Sequence, residues 1–177
     1  MPLQAATATP RRAMTPAAFV RGVVAAYALY GRDPADALGK GQVTGDLVRS
    51  QDGRVTAVQF EALAGHAMRE LDDEALGWFS RRLPWGSYGM LCRASITAPN
   101  LEVALKRWCR HHRYLTEDVL FELAIGEETA VISIREQCEL GPLREFCLVT
   151  LLRYVLGFSC WAVDSAIALR AAEFPYS

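Results

Sequence analysis

The chain has 177 residues, 51% of them hydrophobic, enough for one domain burying roughly 68 to 70% of its unfolded surface. A formal charge of -1 and a pI of about 6.3 exclude a nucleic-acid binder driven by overall positive charge, so DNA contact is expected to lie elsewhere. The five cysteines, Cys92, Cys109, Cys138, Cys147 and Cys160, form an odd set without a CxxC pair or a preceding signal peptide, which reads as a reducing, cytoplasmic compartment.

Residues 1–13, rich in Ala, Thr and Pro, read as a disordered tail ahead of a domain over 14–177. A helix is expected to start at Thr15-Pro16, carrying Val20, Val23, Val24, Tyr27 and Tyr30 on one face up to Gly31. Asp33-Pro34 then opens a short helix that Gly39-Lys40-Gly41 ends, and another brief helix runs from Thr44 to Arg49. Thr56 and Gln59 have the form of a capping box, followed by Phe60, Leu63, Ala64, Ala67, Met68 and Leu71 at helical spacing. Asp72-Asp73 predicts a cap for one more short helix through Trp78.

After Pro84 the glycines predict a strand from Ser87 to Ile96, then a Ser95-Ile96-Thr97 turn and a helix capped by Asn100. Val119 to Ile125 and Thr129 to Arg135, joined through Gly126-Glu127-Glu128, read as an antiparallel hairpin. Gly141-Pro142 opens a helix to about Leu156 that is apolar nearly all round, so it is central in the core or also shared with a second chain. Ser165 to Ala172 reads as a last strand. The apolar run from Cys147 to Leu169, interrupted by Arg153 and Asp164, falls short of a membrane span. The order of elements predicts a single α+β domain in which an antiparallel sheet of about four strands packs with several helices.

Motifs for catalysis are not found. Gly39 to Gly45 has neither the spacing nor the preceding strand of a dinucleotide loop, and Gly157-Phe158-Ser159-Cys160-Trp161 ends in Trp where a nucleophile elbow needs glycine. Asp72-Asp73-Glu74 is accounted for as a helix N-terminus. No catalytic residue, metal ligand or cofactor is assigned.

Candidate binding residues are more informative. Leu101, Leu105, Trp108, His112 and Leu115 share one helical stripe, with Cys109 at its edge and Lys106, Arg110 and Arg113 opposite. A buried imidazole must satisfy both nitrogens, which leaves His112 as a core residue, a ligand contact, or a metal or haem ligand. His66 falls on an outward face beside Arg69 and Glu70. Trp85, Tyr88, Trp108 and His112 would suit the wall of an apolar pocket, and Arg81-Arg82 would neutralise an acidic ligand. Aromatic core packing and exposed loop arginines are the alternatives for the same residues.

The helix after Thr56, Leu76-Gly77, Gly86-Ser87-Tyr88-Gly89, Ser95-Ile96-Thr97, and Leu101-x-x-Ala104-Leu105 running to Arg110-His111-His112-Arg113-Tyr114 form one pattern along the chain. It resembles the N-terminal, arabinose-binding-type domain of AraC-family transcriptional regulators, from about Phe19 to the end. The resemblance implies a bacterial effector-sensing and dimerising module that reaches promoter DNA only through a C-terminal helix-turn-helix domain absent from this chain. The aromatic stretch is a poor sugar site, so an apolar molecule, an amphipathic acid or an amino-acid-like effector is expected. The alternatives are a free-standing haem or small-molecule sensor, resting on His112 or His66, and a purely structural dimerisation module. The expected partners are a small-molecule effector and a second copy of the chain, with no membrane.

Overall fold

The computed structural model describes residues 14–176. They divide into two compact units, one running to Glu70 and the other starting at Leu71. The expected tail at residues 1–13 lies outside the described residues.

In the first unit, β1 (Met14–Pro16) pairs antiparallel with β2 (Arg54–Thr56), with Thr15 opposite Val55. Helix α1 (Ala17–Leu29) leaves this pair directly, and the left-handed Gly31 (φ 60°) follows its end as expected. Helix α2 (Ala35–Lys40) begins beside Pro34, where the Asp33 carboxylate accepts the Ala35 N–H. Helix α3 (Gly45–Arg49) is capped by the Thr44 hydroxyl. The capping box is made as expected: the Gln59 side chain accepts from the Thr56 N–H while the Thr56 hydroxyl accepts from the Gln59 N–H. These bonds open helix α4 (Ala57–Glu70). Val20, Val23, Tyr27, Val55, Leu63 and Ala67 are buried in this unit.

The second unit departs most from the sequence expectation. Ser87–Ile96 is a helix, α5, and not a strand. Tyr88, Leu91 and Ser95 follow helical spacing, with Leu91 and Ser95 buried, whereas a strand would bury alternate residues. The glycine that suggested a strand, Gly86, is instead the left-handed residue (φ 100°) immediately before the helix. Ser95 to Thr97 is therefore the last turn of α5 and its cap. The short helix expected over Asp72 to Trp78 is a chain of turns, because Asp72, Leu76 and Gly77 all have positive φ, which a right-handed helix does not admit.

Helix α6 (Leu101–His112) starts where the Asn100 side chain accepts the Val103 N–H, as expected. Strands β3 (Val119–Ile125) and β4 (Ala130–Glu136) form the expected hairpin, with Phe121 opposite Ile134. A 3-10 turn (Gly141–Leu143) leads into α7 (Arg144–Ala162), which extends six residues past Leu156. Residues 165–172 form no strand. The described residues thus hold two separate two-stranded sheets, not one sheet of about four strands, and the mixture of helices and antiparallel strands remains α+β.

The combined run Gly141–Ala162 is long and apolar enough to cross a membrane by length and composition alone, a test that a core helix passes equally well. Along it Cys147 and Leu151 are fully enclosed by protein, and Leu148, Val155 and Phe158 nearly so.

Candidate functional site

Buried carboxylates shape the loop that leads into α5. Asp73 accepts from the N–H groups of Ala75, Gly77 and Leu83, and Glu74 accepts from those of Gly86 and Tyr88. Asp118 takes both the N–H and the hydroxyl of Ser80. Each acid satisfies backbone donors that the turns leave without an intrachain ladder, and carboxylate acceptors make these bonds stronger than neutral ones. Asp72-Asp73-Glu74 was expected at a helix N-terminus, and Glu74 does serve one. The helix is α5, twelve residues further along, and no sequence rule for local caps reaches that far.

The loop, α5, α6, β3 and α7 converge on His112. This residue is fully buried, and its Nε2 lies 3.2 Å from the Tyr88 hydroxyl. Trp108 stacks against the imidazole at 5.3 Å; Phe121 meets it edge-on at 4.7 Å and Phe79 at 6.3 Å. Tyr154, from α7, stands edge-on to Tyr88 at 4.8 Å. Among the described residues, His112 Nδ1 is buried without a hydrogen-bond partner. Trp78 Nε1, Trp108 Nε1, Thr150 Oγ1 and the Tyr176 hydroxyl are in the same position, and each such buried atom calls for an explanation.

Burial disfavours the imidazolium, pushing the His112 pKa down to about 4. It likewise raises the Tyr88 and Tyr154 phenols well above their usual range. At neutral pH the centre therefore holds an uncharged imidazole and two protonated phenols, all able to donate or accept hydrogen bonds. Burial also raises the Cys109 thiol to about 11, so it stays protonated at neutral pH and is a poor nucleophile.

Of the six residues expected to bind ligand, Tyr88, Trp108 and His112 come together in this centre. The other three do not join it: Trp85 is 48% exposed, Arg81 is exposed, and the exposed Arg82 reaches back to the Leu71 carbonyl. The sequence reading missed Phe79, Phe121 and Tyr154. Phe121 alternates with Val119 on the buried side of β3, a signal that was available, whereas nothing local marks Phe79 or Tyr154. In the first unit, His66 faces Glu70 at 3.4 Å, where an open depression of about 400 Å³ is lined by Ala35, Asp36, Gly39, Lys40 and His66. Among the described residues, no group of three or more His, Cys, Asp or Glu side chains is placed to hold a metal ion.

Comparison with known proteins bears on what this centre serves. A relative named ornithine utilization regulator, from Pseudomonas aeruginosa, is 23% identical over 164 residues, covering 92% of this chain and 48% of the relative. The chain thus spans about half the length of the curated relative it matches. No solved structure matches significantly. Residues 31–177 match the model of the arabinose-binding domain found at the N-terminus of AraC transcription regulators. That match covers most of the chain, including the whole of the unit built around His112, and the chain accordingly belongs to this family of regulatory, effector-binding domains.

Proposed function

We propose that the aromatic centre around His112 is where a small-molecule effector is read, and that the domain passes the reading to a separate DNA-binding domain. The observation that carries this is His112 itself: one ring nitrogen is held by Tyr88, and the other is buried among aromatic rings without a partner among the described residues. A ligand entering between Tyr88, Trp108 and Tyr154 would gain a hydrogen bond there and bury apolar surface, the usual pairing in small-molecule sites. Ligand bound more tightly in one arrangement of the protein shifts the population toward it, which is how occupancy would reach the DNA-binding domain.

The effector is an apolar or amphipathic molecule of modest size, amino-acid-like in the manner that the name of the Pseudomonas relative suggests. The centre itself supplies hydrogen-bonding groups without charge, so a charged end of the effector would have to face outward, toward Arg81, Arg82 or water. The protein acts as a homodimer. Support comes from the half-buried row Val149, Leu152, Leu156 and Cys160 along α7, apolar surface that a second copy would cover. All five cysteines are free thiols, which suits the reducing cytoplasm.

A thermal-shift screen with ornithine, other amino acids, aromatic and aliphatic carboxylates, and sugars tests the reading. Stabilisation should rise with concentration as RT ln(1 + [L]/Kd) for an amphipathic compound and should be lost in Tyr88→Phe. Stabilisation by sugars alone would overturn it. Sedimentation reports the dimer separately.

A further inference from the structure

Charge is unevenly spread through the second unit. From Leu71 to Thr116 the sequence holds seven Lys and Arg residues against four acids, three of which, Asp72, Asp73 and Glu74, lie in the loop before α5, whereas from Glu117 onward ten acids face four arginines. The overall charge of -1 conceals this division. On α6 the buried stripe around Trp108 and His112 leaves Lys106, Arg110 and Arg113 on the opposite side, three to four residues apart. Arg107 lies at the flank of that row, with Nη1 3.4 Å from the Thr97 hydroxyl at the end of α5. On the neighbouring helix the exposed Arg93 stands one turn before Thr97, with its guanidinium lying back beside Gly89. Lys106 is engaged by Glu102, but among the described residues no carboxylate pairs with Arg93, Arg107, Arg110 or Arg113. Tyr114, 75% exposed, stacks on His111 at the same end of the helix.

We propose that this α5–α6 face is a phosphate-binding surface that lies along the backbone of double-stranded DNA without reading its sequence. Guanidinium groups dominate it, and their fork of donors matches phosphate oxygens better than an ammonium does. A stable protein partner would need an apolar centre to the interface, whereas on this face the charged side chains outnumber the apolar ones, which are Met90, Tyr114 and the half-buried Val103. The acidic hairpin region of a second copy is complementary in charge. A two-fold pair can join those unlike faces twice over, so sedimentation of the Arg107→Gln/Arg110→Gln/Arg113→Gln variant, expected to leave the oligomeric state unchanged, separates that occupant from DNA. In a transcription regulator the duplex is already nearby whenever the DNA-binding domain is engaged, so even weak contacts act at high effective concentration. The proposal is independent of the effector reading.

The test is fluorescence anisotropy of the purified protein with a short labelled duplex of arbitrary sequence, between about 50 and 200 mM salt. Binding is expected at the low-salt end, with log K falling linearly in log [salt] by about 0.9 per phosphate contact. Arg107→Gln/Arg110→Gln/Arg113→Gln should lower that slope by about 0.9 for each contact removed, while Arg135→Gln/Arg170→Gln, in the acidic region, should leave it unchanged. Arg110 and Arg113 also stand at the C-terminal end of the α6 dipole, so melting temperatures are measured alongside. If the triple variant unfolds, the exposed Arg110→Gln change alone carries the test, with a slope change of about 0.9. Three results overturn the proposal: no binding at about 50 mM salt, an unaltered slope in the variants, or displacement by polyglutamate as effective as by unlabelled duplex of equal charge. The last would assign the face to an acidic polypeptide.

Discussion

The Tyr88 hydroxyl, on α5, lies 3.2 Å from His112 Nε2, on α6, and is the only polar partner of that ring among the described residues. The bond crosses between the two helices, so it fixes their register more sharply than packing alone.

Tyr88→Phe removes the hydroxyl and leaves Nε2 buried and unpaired as well as Nδ1. A loss of about 1 to 3 kcal/mol is expected in urea denaturation, the desolvation cost of an orphaned polar atom. Unchanged stability would mean that the imidazole finds water or another partner.

Acid should destabilise the second unit through His112. The folded pKa of about 4 lies below the ordinary value of 6.5, so between these values the unfolded chain takes up a proton that the folded one refuses. The contribution is intact above about pH 6.5, falls as pH drops through the window, and levels off below about 4, amounting to about 3 kcal/mol. Stability of the protein minus that of His112→Phe, followed by urea titration across pH 7 to 4, isolates it from the carboxylates. A flat difference would contradict burial of the neutral ring.

Glu74→Gln should weaken the entry into α5, since a carboxamide cannot accept from both the Gly86 and Tyr88 N–H groups as the carboxylate does. About 1 to 3 kcal/mol is expected, with faster hydrogen exchange at the Tyr88 amide. The exposed Asp72 accepts from the Trp85 N–H, and Asp72→Asn, which keeps an acceptor oxygen there, should change stability by no more than about 0.5 kcal/mol.

In the first unit, Tyr27 donates to Glu70 at 2.6 Å and Arg32 joins at 2.8 Å. The Tyr27 bond is the main reason that the Glu70 carboxyl titrates below its usual range. Tyr27→Phe should therefore raise the Glu70 pKa, seen by NMR titration, and cost about 1 kcal/mol. Because the folded value is depressed, this stabilisation is present above the ordinary carboxylate pKa and fades as pH falls through the folded value.

Local chemistry made much of the chain legible before any fold was known. The Thr56–Gln59 capping box, the Asn100 cap, the Gly31 helix end and the alternating hairpin strands all depend on residues within a few positions of one another. The wheel placed Trp108 and His112 on the buried side of α6, and the fold has them there. The family pattern, too, was carried by sequence alone and is matched over residues 31–177.

Tertiary structure decided what sequence spacing could not. Gly86 and Gly89 are compatible with a strand or a helix start, and Glu74, twelve residues before Gly86, supplies the acceptor that makes it a helix. Phe79 and Phe121 reach His112 from a loop and a strand, and Tyr154 reaches Tyr88 from another helix, while Trp85, Arg81 and Arg82, closer in sequence to Tyr88, stay outside. The physical reason is range: caps, turns and amphipathic faces are set by neighbours along the chain, whereas a buried centre is assembled from side chains that meet only once the chain has closed on itself.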